Sequence, residues 1–223
     1  MFKHGKALIG LCLGLSLCLL AGQAQAMTVT YNLDLIFTPP TGPTSPLATI
    51  TLTDLGNAVQ FDVVNQAGAG SKLESLYFNF EHGYVNPNQL VFSNVNIASN
   101  MYNTLLAPST SSTMAQLKPD GDGYFDGKFE YTGNNFLGHG QTLSFQLSAA
   151  GQDLSVNAFH LFSLPGPGSG ATGPFIMASH IQNIESGGTV WVGTVAAVPL
   201  PGAFLLFGSG LAGLLGFSRL TNV

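Results

Sequence analysis

Between residues 27 and 197 apolar and polar residues trade places at nearly every step, and that period of two constrains the fold more than any other feature. Successive side chains of a strand point to opposite faces, so alternation of this kind makes a ribbon with one apolar and one polar face. Val29, Tyr31, Leu33, Leu35 and Phe37 alternate with Thr28, Thr30, Asn32, Asp34 and Ile36. Ile50 and Leu52 alternate with Thr49, Thr51 and Thr53; after a turn at 54–57 come Val59, Phe61 and Val63, which is a hairpin pattern. Leu76, Phe78 and Phe80 form the next run, then Val91, Val95 and Ile97, then Phe125, Phe129 and Tyr131, then Leu143, Phe145 and Leu147. Val156 with Ala158, Ile176 with Ala178, and Val190 with Val192 complete the set. That makes about nine or ten strands, and helical periodicity is absent. Strands with one Phe-rich face need a second sheet to cover it. The expected fold is therefore all-β, a β-sandwich of jelly-roll or immunoglobulin-like topology.

Charge is scarce, at 8% of 223 residues against 45% hydrophobic, where soluble domains average about 25% charged. So few cations exclude a nucleic-acid binder, which needs clustered Lys and Arg to displace counterions. The same scarcity excludes a charge-laced coiled coil. The charges are also sorted. Lys3, Lys6 and Arg219 lie at the ends, whereas Lys72, Lys118 and Lys128 share the middle with all eleven acids, a net of −8 there. Pro- and Gly-rich runs at 38–46 and 165–174 read as loops, and Gly187-Gly188 reads as the start of a spacer before the C-terminal segment.

The two ends read as addresses. Residues 1–26 have a positive start (Lys3, Lys6), an apolar stretch from Ala7 to Leu20, and Ala24-Gln25-Ala26 in the A-x-A arrangement. Those three parts make a secretory signal peptide, an apolar helix cut by signal peptidase after Ala26. Cys12 and Cys18 both fall inside it, each preceded by Leu, so the mature chain is expected to have no disulfide and no thiolate site. At the other end, Gly202 to Leu220 is 19 residues without an acid, about 28 Å as a helix, enough to span a hydrocarbon core of about 30 Å. Pro199 and Pro201 mark its start and Arg219 its cytoplasmic end. Gly208, Ala212 and Gly216 form a small-residue stripe against which a second membrane helix can pack closely. The chain thus divides into 1–26, a body at 27–197, and a tail at 198–223.

Val198-Pro199-Leu200-Pro201, the apolar helix and terminal Arg219 together resemble the PEP-CTERM sorting signal in its VPLP-type form. Leu200 stands where the name motif has Glu, and the single Arg219 stands where an Arg cluster is usual. The resemblance implies an exosortase as partner, transient anchoring in the inner membrane of a Gram-negative bacterium, processing near the proline motif, and a destination at the cell surface or beyond it. It also implies a host that makes exopolysaccharide and biofilm; with no catalytic motif in a structural context, the expected role is structural or adhesive and not enzymatic.

Within the body the sharpest local pattern is Lys118 to Asp126. Asp120, Asp122 and Asp126 with the Tyr124 carbonyl give oxygens at positions 1, 3, 7 and 5. Phe125 occupies the position where an EF-hand loop requires Gly, so this is no EF-hand. Two readings stand: a shallow extracellular calcium site, or an Asp/Gly-rich turn with solvated carboxylates. Calcium is the one cofactor the residues suggest. His82, His139, His160 and His180 have no metal-binding spacing, and His139 between two glycines reads as a turn residue. Asp62, Glu74, Glu81 and Glu130 supply carboxylates for a secreted glycoside hydrolase, but no spacing pairs them. Tyr77, Tyr84, Tyr102, Tyr124 and Trp191 are candidates for stacking on sugars, the basis of an alternative reading as a carbohydrate-binding module.

Overall fold

The computed structural model describes residues 26–37, 42–81, 89–97, 103–106, 117–119, 123–131, 134–164, 174–185 and 187–199. The signal segment, Asp120, Asp122, His82, Tyr84, Tyr102 and everything from Leu200 on lie outside the described residues. Among the described residues there are twelve strands: β1 (Thr28–Ile36), β2 (Gly42–Asp54), β3 (Ala58–Asn65), β4 (Lys72–Phe78), β5 (Leu90–Ile97), β6 (Asn103–Leu106), β7 (Gly127–Tyr131), β8 (Leu137–Gly138), β9 (Thr142–Ala149), β10 (Met177–Gln182), β11 (Thr189–Thr194) and β12 (Ala197–Pro199). Among those residues no helix is long and apolar enough to cross a membrane. The described body is all-β, as the alternation requires.

The strands form one antiparallel ladder in the order β5-β9-β3-β2-β1-β11-β10-β4-β7-β6, with β12 beside β1 and β8 beside β4. The sheet curls so that its two halves face each other. Phe61 of β3 and Phe145 of β9 stack at 4.8 Å in one half. They meet Phe78 of β4 at 5.6 Å and Phe129 of β7 at 5.7 Å from the other. All four rings are fully buried, and each contributes about 1.5–3 kcal/mol by leaving water. The chain passes from one half to the other between β3 and β4, β4 and β5, β5 and β6, β7 and β9, and β9 and β10. Between β9 and β10 lies a short 3-10 helix, Val156–Phe159, whose Val156, Ala158 and Phe159 are buried. The Tyr31 hydroxyl fastens it by donating to the Phe159 carbonyl at 3.1 Å.

Several expectations are corrected by backbone irregularities. The β1–β2 register breaks between Leu33 and Leu35, where the β2 partner jumps from Ala48 to Pro43, and β1 changes face across this irregularity. Tyr31, Leu33 and Ile36 therefore enter the main core, while Leu35 and Phe37 join a second cluster on the opposite face. In β5, Val91 and Val95 point outward, and Leu90 and Phe92 pack on the core instead. Phe125 also belongs to the second cluster, apart from Phe129 and Tyr131. Val156 and Ala158 sit in the 3-10 helix and not in a strand. Gly187-Gly188 is no spacer: it closes the β10–β11 hairpin, with φ of +77° and +99° that L side chains rarely adopt.

Candidate functional site

The chain ends come first, because the sequence gives them the clearest roles. Val29, Thr30 and Tyr31 pair with Pro199, Val198 and Ala197. The strand β11–β12 keeps one register along β1, since Leu35 pairs with Gly193 and Ile36 with Val192. Val198 and Pro199 are thus the last described rungs of the ladder, beside the start of β1. Met27 is tied in by its carbonyl, which accepts the Asp54 amide at 2.8 Å. Three residues reach at most about 10 Å, so Ala26 lies within that reach of the Val29–Pro199 rung. Met27 and Pro199 thus lie at one pole of the body.

The opposite pole carries a cleft of about 470 Å³, walled by Ile36, the 44–47 segment, Gln66 to Gly68, and Ile184 with Glu185. Its wall is held by Asn65, which is fully buried. The Asn65 amide donates to the Leu137 carbonyl at 2.8 Å. Its side-chain oxygen accepts from the Ala67 amide at 3.0 Å and the Ser71 hydroxyl at 3.2 Å. Sequence reading missed Asn65; the only signal was an Asn that ends an alternating run just before a Gly-rich loop.

The outer face of the β1-β11-β10-β4-β7 half carries the two described ion pairs, Glu74–His180 and Lys128–Glu130. β4 bulges opposite His180, and Glu74 there lies 2.7 Å from His180 Nδ1. His180 stacks on Trp191 at 4.5 Å. Trp191 meets Tyr77 edge-on at 5.6 Å, and the Lys128 ammonium sits 5.4 Å from the centre of the Tyr77 ring and 2.7 Å from Glu130. Burial draws the Lys128 ammonium down, but its hydrogen bond to Glu130 and the charges of Tyr77 and Glu130 outweigh that and hold its pKa above the ordinary lysine value. Burial pushes the Tyr77 phenol up, with Lys128 opposing. Trp191 lies between Phe37 of the β1 side (6.3 Å, stacked) and His180 of the β10 side. A sugar platform needs an open ring face, and neighbours flank both faces of Trp191. Phe37, Tyr77, Phe125, Phe175 and Ala178 complete a small apolar cluster there, shielded by the segments around Leu117 and Phe175.

The described half of the calcium pattern is occupied by backbone partners. Asp126 Oδ2 accepts the Phe80 amide at 3.1 Å, and the Asp126 amide donates to Asn79 Oδ1 at 3.2 Å. The Tyr124 carbonyl accepts the Leu164 amide at 3.0 Å. Among the described residues no group of three or more His, Asp or Glu side chains is placed to hold a metal ion. The hydrolase carboxylates scatter. Asp62 lies on the outer face of one half and Glu74 and Glu130 on that of the other. Glu81 instead lines a cavity of about 240 Å³ with Asp153 and His160, beside the 3-10 helix. His139 sits exposed in the turn between β8 and β9.

The outer face of the β5-β9-β3-β2-β1 half is unlike the first. Thr30, Thr51, Asp62, Ser144 and Asn96 stand opposite one another in one row across five strands. Thr28, Thr53, Gln60, Gln146 and Ser93 make the next. Asn32, Thr49, Val64 and Thr142 make a third. These side chains are part-exposed apart from Asn96, which is exposed. No family model, curated protein or solved structure matches this chain.

Proposed function

We propose that the chain is an exported surface or matrix protein of a Gram-negative bacterium, bearing a PEP-CTERM-like tail and sorted by an exosortase. Signal peptidase cuts after Ala26, residues 202–220 anchor the body briefly in the inner membrane, and processing near Pro199-Leu200-Pro201 passes it to the surface. Its work there is structural or adhesive, linked to exopolysaccharide, and not catalytic. The observation that carries this reading is the rung pairing Val29 with Pro199. A body whose two ends leave side by side can be cut at both without being unthreaded, and both cuts then fall at one membrane surface. The rolled alternation of the chain between the two halves supports the jelly-roll form of sandwich over the immunoglobulin-like one.

The test is export of the full chain, tagged after Val223, in Gram-negative cells with and without an exosortase. The tag is expected to part from the body only where the exosortase is present. A tag that stays with the body in both strains refutes the sorting step.

A further inference from the structure

We infer that the grid of hydroxyls and amides across β5, β9, β3, β2 and β1 is a docking face for a neutral polyhydroxyl polymer, a polysaccharide chain without charged groups. Outer faces of sheets are ordinarily polar, so polarity alone says nothing. The composition of this one is selective. Its three rows contain one carboxylate, Asp62, and one aliphatic residue, Val64; every other member is Thr, Ser, Asn or Gln. The described ion pairs lie instead on the other outer face, at Glu74–His180 and Lys128–Glu130.

That composition selects the occupant. A protein partner or a second copy needs a desolvated apolar or aromatic anchor at the centre of the contact; Val64 is all the three rows offer, and the exposed Val91 and Val95 stand off-centre on the edge strand β5. Nucleic acid or an acidic polymer needs cations, and the rows hold none. A neutral polyhydroxyl chain needs donors and acceptors that trade water for sugar hydroxyls without stripping an ion of its hydration, which is what Thr, Ser, Asn and Gln supply. The side chains are also held in place before any ligand arrives. Thr30 and Thr51 hydroxyls lie 3.3 Å apart, the Ser144 hydroxyl donates to Asp62, and Asn94, at a bulge with φ +49°, donates to Gln146 at 2.6 Å. Less side-chain freedom is then lost on binding.

A regular array of hydroxyls about 4.8 Å apart across strands also suggests a crystalline surface such as ice. The twist decides against it. Neighbouring strands turn by about 20°, so five strands turn the rows through about 80°. A flexible polymer follows that surface and a flat lattice plane does not.

The inference deepens the adhesive reading and leaves sorting aside. Its test is adsorption of the full-length chain, purified in mild detergent, to amorphous cellulose, with alginate beads as the acidic polymer and an ice-recrystallisation assay alongside. Depletion onto cellulose is expected, falling at least about tenfold in Thr51→Lys/Gln146→Lys, a pair on the exposed face that fixes two cations where a neutral chain would lie. Unchanged urea midpoints in the variant exclude misfolding as the cause, and Thr51→Val/Gln146→Leu repeats the test without added charge. Failure to adsorb, adsorption untouched by both variant pairs, adsorption abolished only by Trp191→Ala, or activity toward ice or alginate alone each overturns the assignment. Tag loss in the export test fails or succeeds independently of all of these.

Discussion

Replacing Asn65 by Ala is expected to cost about 3–5 kcal/mol, and the number can be worked from its partners. Alanine strands three groups: the Leu137 carbonyl, the Ala67 amide and the Ser71 hydroxyl. All three residues are at least nine-tenths buried, with Leu137 at 0%, Ser71 at 1% and Ala67 at 4% exposure. Each orphaned buried group costs about 1–3 kcal/mol, so a dry hole would cost about 3–9 kcal/mol. The removed amide leaves room beside three polar groups, which are enough partners for a water. Such a water returns part of the loss and brings the expectation to the lower half of that range. Ser71→Ala removes one hydroxyl donor and is expected to cost about 1 kcal/mol. The double variant should cost scarcely more than Asn65→Ala alone, because the Ser71 hydroxyl has by then lost its acceptor. Urea unfolding followed by the fluorescence of Trp191, the single tryptophan, measures all three. A cost below about 1 kcal/mol for Asn65→Ala, or simple additivity in the pair, would refute the claim that this side chain holds the cleft wall.

Gly127 lies against Phe78, and a Cβ there would meet the ring at 2.4 Å; because Phe61 and Phe159 hold that ring, Gly127→Ala should cost about 1–3 kcal/mol or more, read as a fall in melting temperature. Stability should also fall as pH rises above 10. Burial raises the Tyr31 pKa to about 12 and pushes Tyr131 up as well, so from pH 10 the unfolded chain releases protons that the folded chain keeps. The loss from Tyr31 runs from about pH 10 to 12 at up to about 1.4 kcal/mol per unit. Tyr31→Phe should flatten that slope while costing about 1 kcal/mol at pH 8 for the hydrogen bond to Phe159; an unchanged slope would contradict it. Asp126→Ala should lower the melting temperature in metal-free buffer, because its carboxylate holds the Phe80 amide. A loss seen only with calcium present would favour the cation reading of Asp120, Asp122, Tyr124 and Asp126.

The strands that could be read from sequence are those whose two faces differ in kind along their whole length. Over 48–53 of β2, 59–63 of β3 and the whole of β9, Thr, Gln, Asp or Ser alternates with Ala, Ile, Leu, Phe or Val, and burial follows the pattern. Reading failed where the backbone changes step. The register break between β1 and β2 and the bulges in β4 and β5 are set by what the paired strands require, and nothing local announces them. That is why Leu35 and Phe37, which continue the alternation of Tyr31 and Leu33, end on the opposite face. The same cause hid the pairing of Glu74 with His180, since the β4 bulge turns Glu74 outward. Trp191 was legible as an aromatic of interest, but its neighbours Phe37 and His180 come from strands far away in the chain. The neutral rows were visible one strand at a time. Their alignment into a grid is a property of register, which no single strand contains.

That grid has a consequence for salt that separates it from any ionic contact. Attraction between exposed charges weakens over a Debye length, about 10 Å at 0.1 M and about 3 Å at 1 M salt. Contacts between neutral hydroxyls and amides carry no such long-range term, and the three rows hold only Asp62, whose carboxylate accepts from Ser144 and Gln60. Adsorption to a neutral polysaccharide should therefore change by less than about twofold between 0.1 M and 1 M sodium chloride. The Glu74–His180 and Lys128–Glu130 face predicts the reverse, since a polymer would meet it through charges at a part-exposed surface, which salt screens. Adsorption measured across that range thus reports which outer face holds the polymer. A steep fall with salt would move the site to the ionic face and leave the neutral rows as solvated surface.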